Sequence, residues 1–238
     1  MSGEILKDKI ALITGASQGI GADVAKEYAR QGAHVILIAR NQKKLEKIDD
    51  EIKTLGGSAT LLPLDLQDLN SIDKIGPIIE QRFGKVDIFV GNAGLLGTLM
   101  PLTQLSVSEY DRVLTVNLSA NFRLLKTLDP LLKASKNGRV IFVSTGKGVT
   151  MGRAYWGTYA ISKSALETMA HIYADETRQT NIRVNVIDPG SVRTDMRKAA
   201  KPGEDPSSLA TPEDITPYFI NLARDDCEQH AEIIRINL

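Results

Sequence analysis

The sequence predicts an α/β fold: a doubly wound, seven-stranded parallel sheet with helices on both faces, in a single domain spanning residues 1–238. Three observations carry that prediction. Seven short runs of aliphatic and β-branched residues recur without strict alternation, so each reads as a strand buried on both sides. Longer amphipathic segments separate them in strict rotation, which implies βαβ crossovers and parallel pairing. A glycine-rich turn joins the first run to the first amphipathic segment.

Composition narrows the function. Hydrophobic residues make up 42% and charged residues 24%, enough apolar material to bury a large core in 238 residues. Formal net charge is zero, so no basic excess points to nucleic acid or an anionic membrane. No apolar run approaches the ~18–20 residues of a membrane span. The single cysteine, Cys227, excludes an internal disulfide. With no leader pattern at the start, a reducing, cytoplasmic location is expected. His34, His171 and His230 lie scattered without metal-ligand spacing, and no metal is expected.

Taken in order, the first strand is "KIALIT". It runs into "TGASQGIGADVAKEYA", with glycines at 15, 19 and 21 between a strand and a helix. Gly15 permits a tight turn, Gly19 lets the backbone approach a ligand, and Gly21 lets helix and strand pack. The free N–H groups and positive end of the new helix suit a pyrophosphate, as in dinucleotide-binding folds. The second strand, "HVILIA", ends in Ala39 and Arg40 with no carboxylate. An acid there would bind a ribose 2′-hydroxyl and repel a 2′-phosphate; a guanidinium can hold the phosphate instead. The expected cofactor is therefore NADP(H) in preference to NAD(H).

A helix over "NQKKLEKIDDEIKTL" leads to the third strand, "ATLLPL", and one over "LNSIDKIGPIIEQRF" to the fourth, "VDIFVG". One long helix is expected across "SEYDRVLTVNLSANFRLLKTLDPLLKA", with Asn117 in mid-helix, where asparagine is intrinsically poor. The fifth strand, "RVIFVS", ends in two hydroxyls, Ser144 and Thr145. They stand 15 and 14 residues before Tyr159, on the helix "YAISKSALETMAHIYADETRQ". Tyr159 and Lys163 are four apart and share a helix face. A phenol titrates near ~10 in water, and a neighbouring ammonium is expected to lower that value toward neutrality. The sixth strand, "IRVNVI", leads to "DPGSVRT". The Pro/Gly/Ser-rich stretch Lys198–Asp214 reads as a loop or lid, with 196–212 the expected substrate loop. The helix "PEDITPYFINLARD" and the strand "AEIIRI" complete the chain.

These motifs, in this order, resemble the short-chain dehydrogenases/reductases, which have a Rossmann-type fold. The resemblance covers Lys9 to about Pro212. It rests on "TGASQGIG", "LDL", "GNAG", "TVNLS", the hydroxyl strand end, "YAISK" and "DPGSVRT". "NAGLLG", "GRAYWGTYAISK" and "RTDMRKAAKPGEDP" look most like a bacterial branch often called YciK-like, whose substrates the resemblance does not supply. It implies that Gly15, Ser17, Gln18, Gly19, Ile20 and Gly21 hold the pyrophosphate end of the cofactor. Asp65 and Leu66 would meet the adenine; Asn92, Ala93 and Gly94 would line the cofactor. Pro189, Gly190, Val192 and Thr194 would hold the nicotinamide end. It implies that Asn117 bends its helix and holds a water leading to Lys163. Tyr159 would be the general acid/base, with Tyr159 and Lys163 also touching the cofactor. A hydroxyl would steady the substrate oxygen; laying the family pattern over "VSTGKG" favours Thr145, with Ser144 the alternate. Three departures stand out: Gln18 where many NADP-dependent members have Arg, "GNAG" where "NNAG" is commoner, and "AEIIRINL" without the usual Gly-Gly tail.

The expected activity is hydride transfer between NADP(H) and a small or medium carbonyl or alcohol. One alternative is a 3-oxoacyl-carrier-protein reductase, but Pro130 and Asp175 stand where an acidic carrier would need arginines. The other is a non-catalytic dinucleotide sensor on the same fold. Leu95, Leu96, Met100, Met151, Tyr155, Trp156 and Met196 are the expected wall of an apolar substrate pocket. Apolar stripes on two helices (Val113, Val116, Leu124 and Leu125; Leu166, Met169, Ile172 and Tyr173) predict a homodimer or homotetramer.

Overall fold

A computed structural model describes residues 4–237. In chain order its elements are β1 (Ile10–Thr14), α1 (Gly19–Arg30), β2 (His34–Ala39), α2 (Gln42–Thr54), β3 (Ser58–Pro63), α3 (Leu69–Ile72), α4 (Ile75–Phe83) and β4 (Ile88–Gly91). There follow α5 (Val107–Leu114), α6 (Ala120–Ala134), β5 (Arg139–Val143), α7 (Lys147–Thr150), α8 (Gly157–Glu176) and β6 (Arg183–Asp188). Then come α9 (Asp195–Ala200), α10 (Pro212–Ala223) and β7 (Glu232–Arg235). All seven strands pair in parallel, in the order β3-β2-β1-β4-β5-β6-β7.

Successive strand residues point to opposite faces, so the apolar runs feed two cores. Ala11, Ile13, Val35 and Leu37 pack on one side with Val24 and Tyr28 of α1, Leu45 of α2 and Phe219 of α10. Leu12, Ile36, Phe89 and Phe142 pack on the other with Ile79 of α4, Leu128 of α6 and Leu166 of α8. Each fully buried aromatic such as Phe89, Phe142 or Phe219 contributes roughly 1.5–3 kcal/mol. Tyr28, though wholly buried, satisfies its hydroxyl by donating to the Phe219 carbonyl at 3.0 Å. At the amino ends of the strands the Asp87 carboxylate accepts from the Ile10 N–H at 2.8 Å and the Ser135 hydroxyl at 2.6 Å. The start of β1 and the carboxyl end of α6 are thereby tied to the residue just before β4.

Two expected helices are broken, each for a local reason. Between α3 and α4 the Thr127 hydroxyl accepts the Gly76 N–H and donates to the Asp73 carbonyl. A Cβ at residue 76 would lie 2.3 Å from the Thr127 carbonyl, so the glycine allows α4 to touch α6. The long helix through Asn117 is three pieces: α5, a π-helical turn over Thr115–Ser119, and α6. The wider turn coincides with side-chain bonding by a buried Asn117.

Candidate active site

The carboxyl ends of β1, β2, β4, β5 and β6 open onto one cleft of about 670 Å³. It lies where strand order reverses between β1 and β4, the place where open α/β sheets bind ligands. Ser17, Gln18, Gly19 and Ile20 line its floor. Gly15 and Gly19 have φ of +68° and +57°, which favour glycine. No side chain caps α1, so its first N–H groups face the cleft. Gly21 does not line the cleft: it lies beneath, where a Cβ would come 2.4 Å from Asn92 Nδ2. This cradle of bare backbone and an uncapped helix start fits a pyrophosphate.

At one end of the floor stand Arg40, Asn41 and Lys44, beside Ala39, with Asp65 and Leu66 opposite. Lys44 donates to Gln18 Oε1 at 2.6 Å, which links the glycine turn to α2. Asn41 and Lys44 were not singled out from sequence, although both belong to the basic stretch "RNQKK". Thr14, also missed, places the next segment: its buried hydroxyl accepts the N–H groups of Asn92 and Ala93, each at 3.0 Å. Asn92, Ala93 and Gly94 therefore line the middle of the cleft. Across from them Pro189, Gly190, Val192 and Thr194 form the far wall. Thr194 Cγ2 is 3.3 Å from where a Cβ on Gly19 would sit, so this segment closes directly over the glycine turn.

The unusual Gly91 has a steric cause. A Cβ there would meet both Asn121 Oδ1 and the Phe142 ring at 2.6 Å. Asn121 is itself buried and donates to the Asn117 carbonyl at 2.8 Å. Gly91→Asn, which restores the commoner motif, is expected to lower stability by about 1–3 kcal/mol through overpacking, measured as a fall in urea midpoint.

Asn117 lies below the cleft, completely buried. Its Oδ1 accepts the Leu95 N–H at 2.7 Å, and its Nδ2 donates to the Leu95 carbonyl and to Ser162 Oγ, both at 2.9 Å. It staples the π-turn to the loop after β4 and to α8. Its Oδ1 and Lys163 Nζ both lie 3.5 Å from where a Cβ on Gly94 would be.

Ser144, Thr145, Tyr159 and Lys163 converge at the other end of the cleft. β5 stops at Val143, so strand alternation does not reach the two hydroxyls. Ser144 is buried and donates to Glu167 Oε1 at 2.6 Å. The Thr145 side chain lies instead beside the Tyr159 phenol, where it favours the phenolate. Lys163, almost wholly buried, donates to the Val143 carbonyl at 2.8 Å, with Nζ 5.9 Å from the Tyr159 ring centre.

The electrostatics differ from the expectation for Tyr159. Its phenol is pushed up to about 12, chiefly by burial among Val149, Ala160, Leu96 and Trp156. Thr145 opposes that rise and the nearby Asp188 adds to it. Burial likewise brings Lys163 down to about 8, against the pull of Glu167. Here the loss of water outweighs any lowering of Tyr159 by the ammonium.

Of the expected substrate wall, Leu95, Leu96, Trp156 and Met196 line the cleft. Met100, Met151 and Tyr155 do not; Met151 and Tyr155 are 75% and 63% exposed. Tyr155 is a non-glycine residue at φ +70°, which turns the chain so that Trp156 packs against Tyr159 at 5.9 Å between ring centres. After β6 the chain returns over the cleft through α9, closed on itself by a paired Arg197 and Glu204 and pinned by Arg193 N–H to the Ala210 carbonyl.

Residues 9–205 match the family model described as short chain dehydrogenase. The oxidoreductase YciK of Escherichia coli K12 is 42% identical over 226 residues, 94% of this chain and 89% of that one. A short-chain dehydrogenase of Shigella flexneri 2a, solved with NADP, superposes with a TM-score of 0.93 at 38% identity, covering 98% of this chain and 99% of that one. One from Escherichia coli CFT073, solved with NADPH, gives 0.92 at 39% identity and covers 98% of both chains. A matching family model across most of the chain, on the fold and cleft described, places this protein among the oxidoreductases of the short-chain dehydrogenase family.

Proposed function

We propose that this enzyme reduces a small or medium apolar carbonyl compound, or oxidises the matching alcohol, with NADP(H) as the preferred cofactor. One observation carries the reading. Thr145, Tyr159 and Lys163 meet at one end of a cleft whose other end is an uncapped helix start beside Arg40 and Lys44. When bound, the cofactor supplies or accepts the hydride. Tyr159 donates a proton to the carbonyl oxygen, and the Thr145 hydroxyl donates a hydrogen bond to the same oxygen. The Lys163 ammonium offsets charge as the phenol releases its proton. Asn117 acts from below, holding the Leu95 backbone and α8 in place. Trp156, Leu96 and Met196 exclude water from the reacting end, and the α9 segment with residues 196–212 closes over the substrate. A panel of aliphatic, aromatic and sugar carbonyls, read by NADPH consumption, tests this. A protein that binds NADPH and turns over none of them would be a sensor instead. Preference for acyl thioesters would favour the 3-oxoacyl-carrier-protein reductase.

Two finer features of the reading can be tested separately. Ala39→Asp is expected to shift preference from NADPH toward NADH. An acid there repels a 2′-phosphate and accepts from a ribose hydroxyl, and losing a charge-assisted contact of ~1.5–3 kcal/mol is roughly a tenfold to hundredfold change in affinity. Wild-type protein that already prefers NADH would sink the reading of Arg40 and Lys44. The second feature is assembly. The apolar stripes expected to pair with a partner turn inward for the most part: Val113, Val116, Leu124, Leu125 and Leu166 are buried in the protein's own core. Phe122 on α6 and Ile161 and Ile172 on α8 are the exposed apolar side chains there, at 55%, 38% and 55%. A homodimer or homotetramer paired through these two helices is expected, and light scattering at micromolar concentration should show at least twice the chain mass.

A further inference from the structure

The hydroxyl of Ser144 is already engaged, and its partner lies on the helix that holds Tyr159 and Lys163. Ser144 donates to Glu167 Oε1 at 2.6 Å, while Lys163 donates to the carbonyl of Val143, the residue just before it, at 2.8 Å. Glu167 lies four residues beyond Lys163 on α8, hence on the same face. Two consecutive residues at the end of β5 are therefore gripped by two side chains one helical turn apart. We propose that Glu167 is a positioning residue for proton transfer: latched by Ser144, its carboxylate keeps the Lys163 ammonium charged and seated on the Val143 carbonyl. The proposal rests on the reading of Lys163 as the partner of Tyr159.

The surroundings leave Glu167 as the source of that charge balance. From β5, Lys163 faces the Val143 carbonyl, while the hydroxyls that follow are turned elsewhere, Ser144 to Glu167 and Thr145 to the Tyr159 phenol. From the loop after β4 Lys163 faces the Gly94 backbone, and from the π-turn the Asn117 amide. On its own helix the neighbour is the Tyr159 ring. Asp188 of β6 acts on the Tyr159 phenol, not on Lys163. Among the described residues Glu167 is the charged side chain that pulls Lys163 toward its protonated form, against a burial that brings it down to about 8. A neutral amine would no longer favour the phenolate that forms as Tyr159 gives up its proton. Glu167 is only half-buried, so without the Ser144 bond its carboxylate is free to turn toward water.

Glu167→Gln separates charge from shape, since the amide oxygen still accepts from Ser144. Cofactor-free protein labelled with ¹³C at lysine Cε can be titrated by NMR, with the Lys163 signal assigned from Lys163→Arg. In Glu167→Gln the Lys163 midpoint should fall by roughly one pH unit. In Ser144→Ala it should fall part of that way. In NADPH-dependent turnover of 9,10-phenanthrenequinone, Glu167→Gln should lose more kcat at alkaline than at acidic pH, whereas a merely structural residue would lower kcat equally at both. An unmoved midpoint in Glu167→Gln, with Tyr159→Phe inactive, would overturn this inference alone. An unmoved midpoint in Ser144→Ala would overturn the latch. Turnover surviving in Tyr159→Phe would overturn the reading of the site on which the inference stands.

Discussion

Tyr159→Phe is expected to reduce kcat/KM for carbonyl reduction by about 10²–10⁴-fold, the range that a positioned general acid supplies. The ring stays, so packing against Trp156 and the apolar cluster around it should survive, and the thermal midpoint should hardly move. NADPH affinity, read by fluorescence, should change little, because most of the cleft that would hold the cofactor lies elsewhere. The wild-type pH dependence follows from the raised phenol. With Tyr159 pushed up to about 12, the proton donor stays loaded between about pH 6 and 9, and reduction should not be limited by its loss there. Alcohol oxidation needs the phenolate, whose fraction grows tenfold per pH unit below the midpoint, so oxidation should rise with pH over the same range. Reduction that survives in Tyr159→Phe, or oxidation that is flat with pH, would assign the proton to another group.

The second large effect concerns the two hydroxyls at the end of β5. Thr145→Val keeps the branched shape and should lower kcat by about 10²–10³-fold, as loss of an oxyanion donor does, with NADPH affinity nearly unchanged. Thr145→Ser keeps the hydroxyl and should retain most activity. Ser144→Ala removes a donor that is spent on Glu167, so its direct cost should be far smaller, coming through Lys163 and local stability. The reverse order, with Ser144→Ala the more damaging of the two, would make Ser144 the substrate hydroxyl. If both changes are silent while Tyr159→Phe is inactive, neither hydroxyl takes part.

The parallel sheet was legible in the sequence because a strand buried on both faces must be apolar on both, and runs such as Ile10–Thr14 and Arg139–Val143 are apolar except at one end, where Thr14 and Arg139 stand. The glycine turn was legible because positive φ and close packing leave little choice of residue at 15, 19 and 21. What depends on tertiary contact was not. The break between α3 and α4 follows from Thr127, some 51 residues away from Gly76, and periodicity carries no trace of it. Thr14 looked like the end of a strand, and its role in placing Asn92 and Ala93 emerges only when β4 lies alongside. A spacing of four put Lys163 beside Tyr159, yet spacing says nothing of burial, and burial decides the direction in which the phenol moves. The choice between Ser144 and Thr145 stayed open in the sequence because it turns on where β5 stops and on a carboxylate more than twenty residues later.

The bond from Tyr28 to the carbonyl of Phe219 joins residues 191 apart, and α1 packs directly on α10. During synthesis α1 leaves the ribosome long before its cover exists. At about 5–20 residues per second the gap is roughly 10–40 s. Through that time the face carrying Val24, Ala25 and Tyr28 has no helix from the carboxyl end to lie against. The nascent chain offers an apolar surface for many seconds, long enough for a chaperone at the tunnel exit to bind it, and long enough for neighbouring chains on one message to associate if none does.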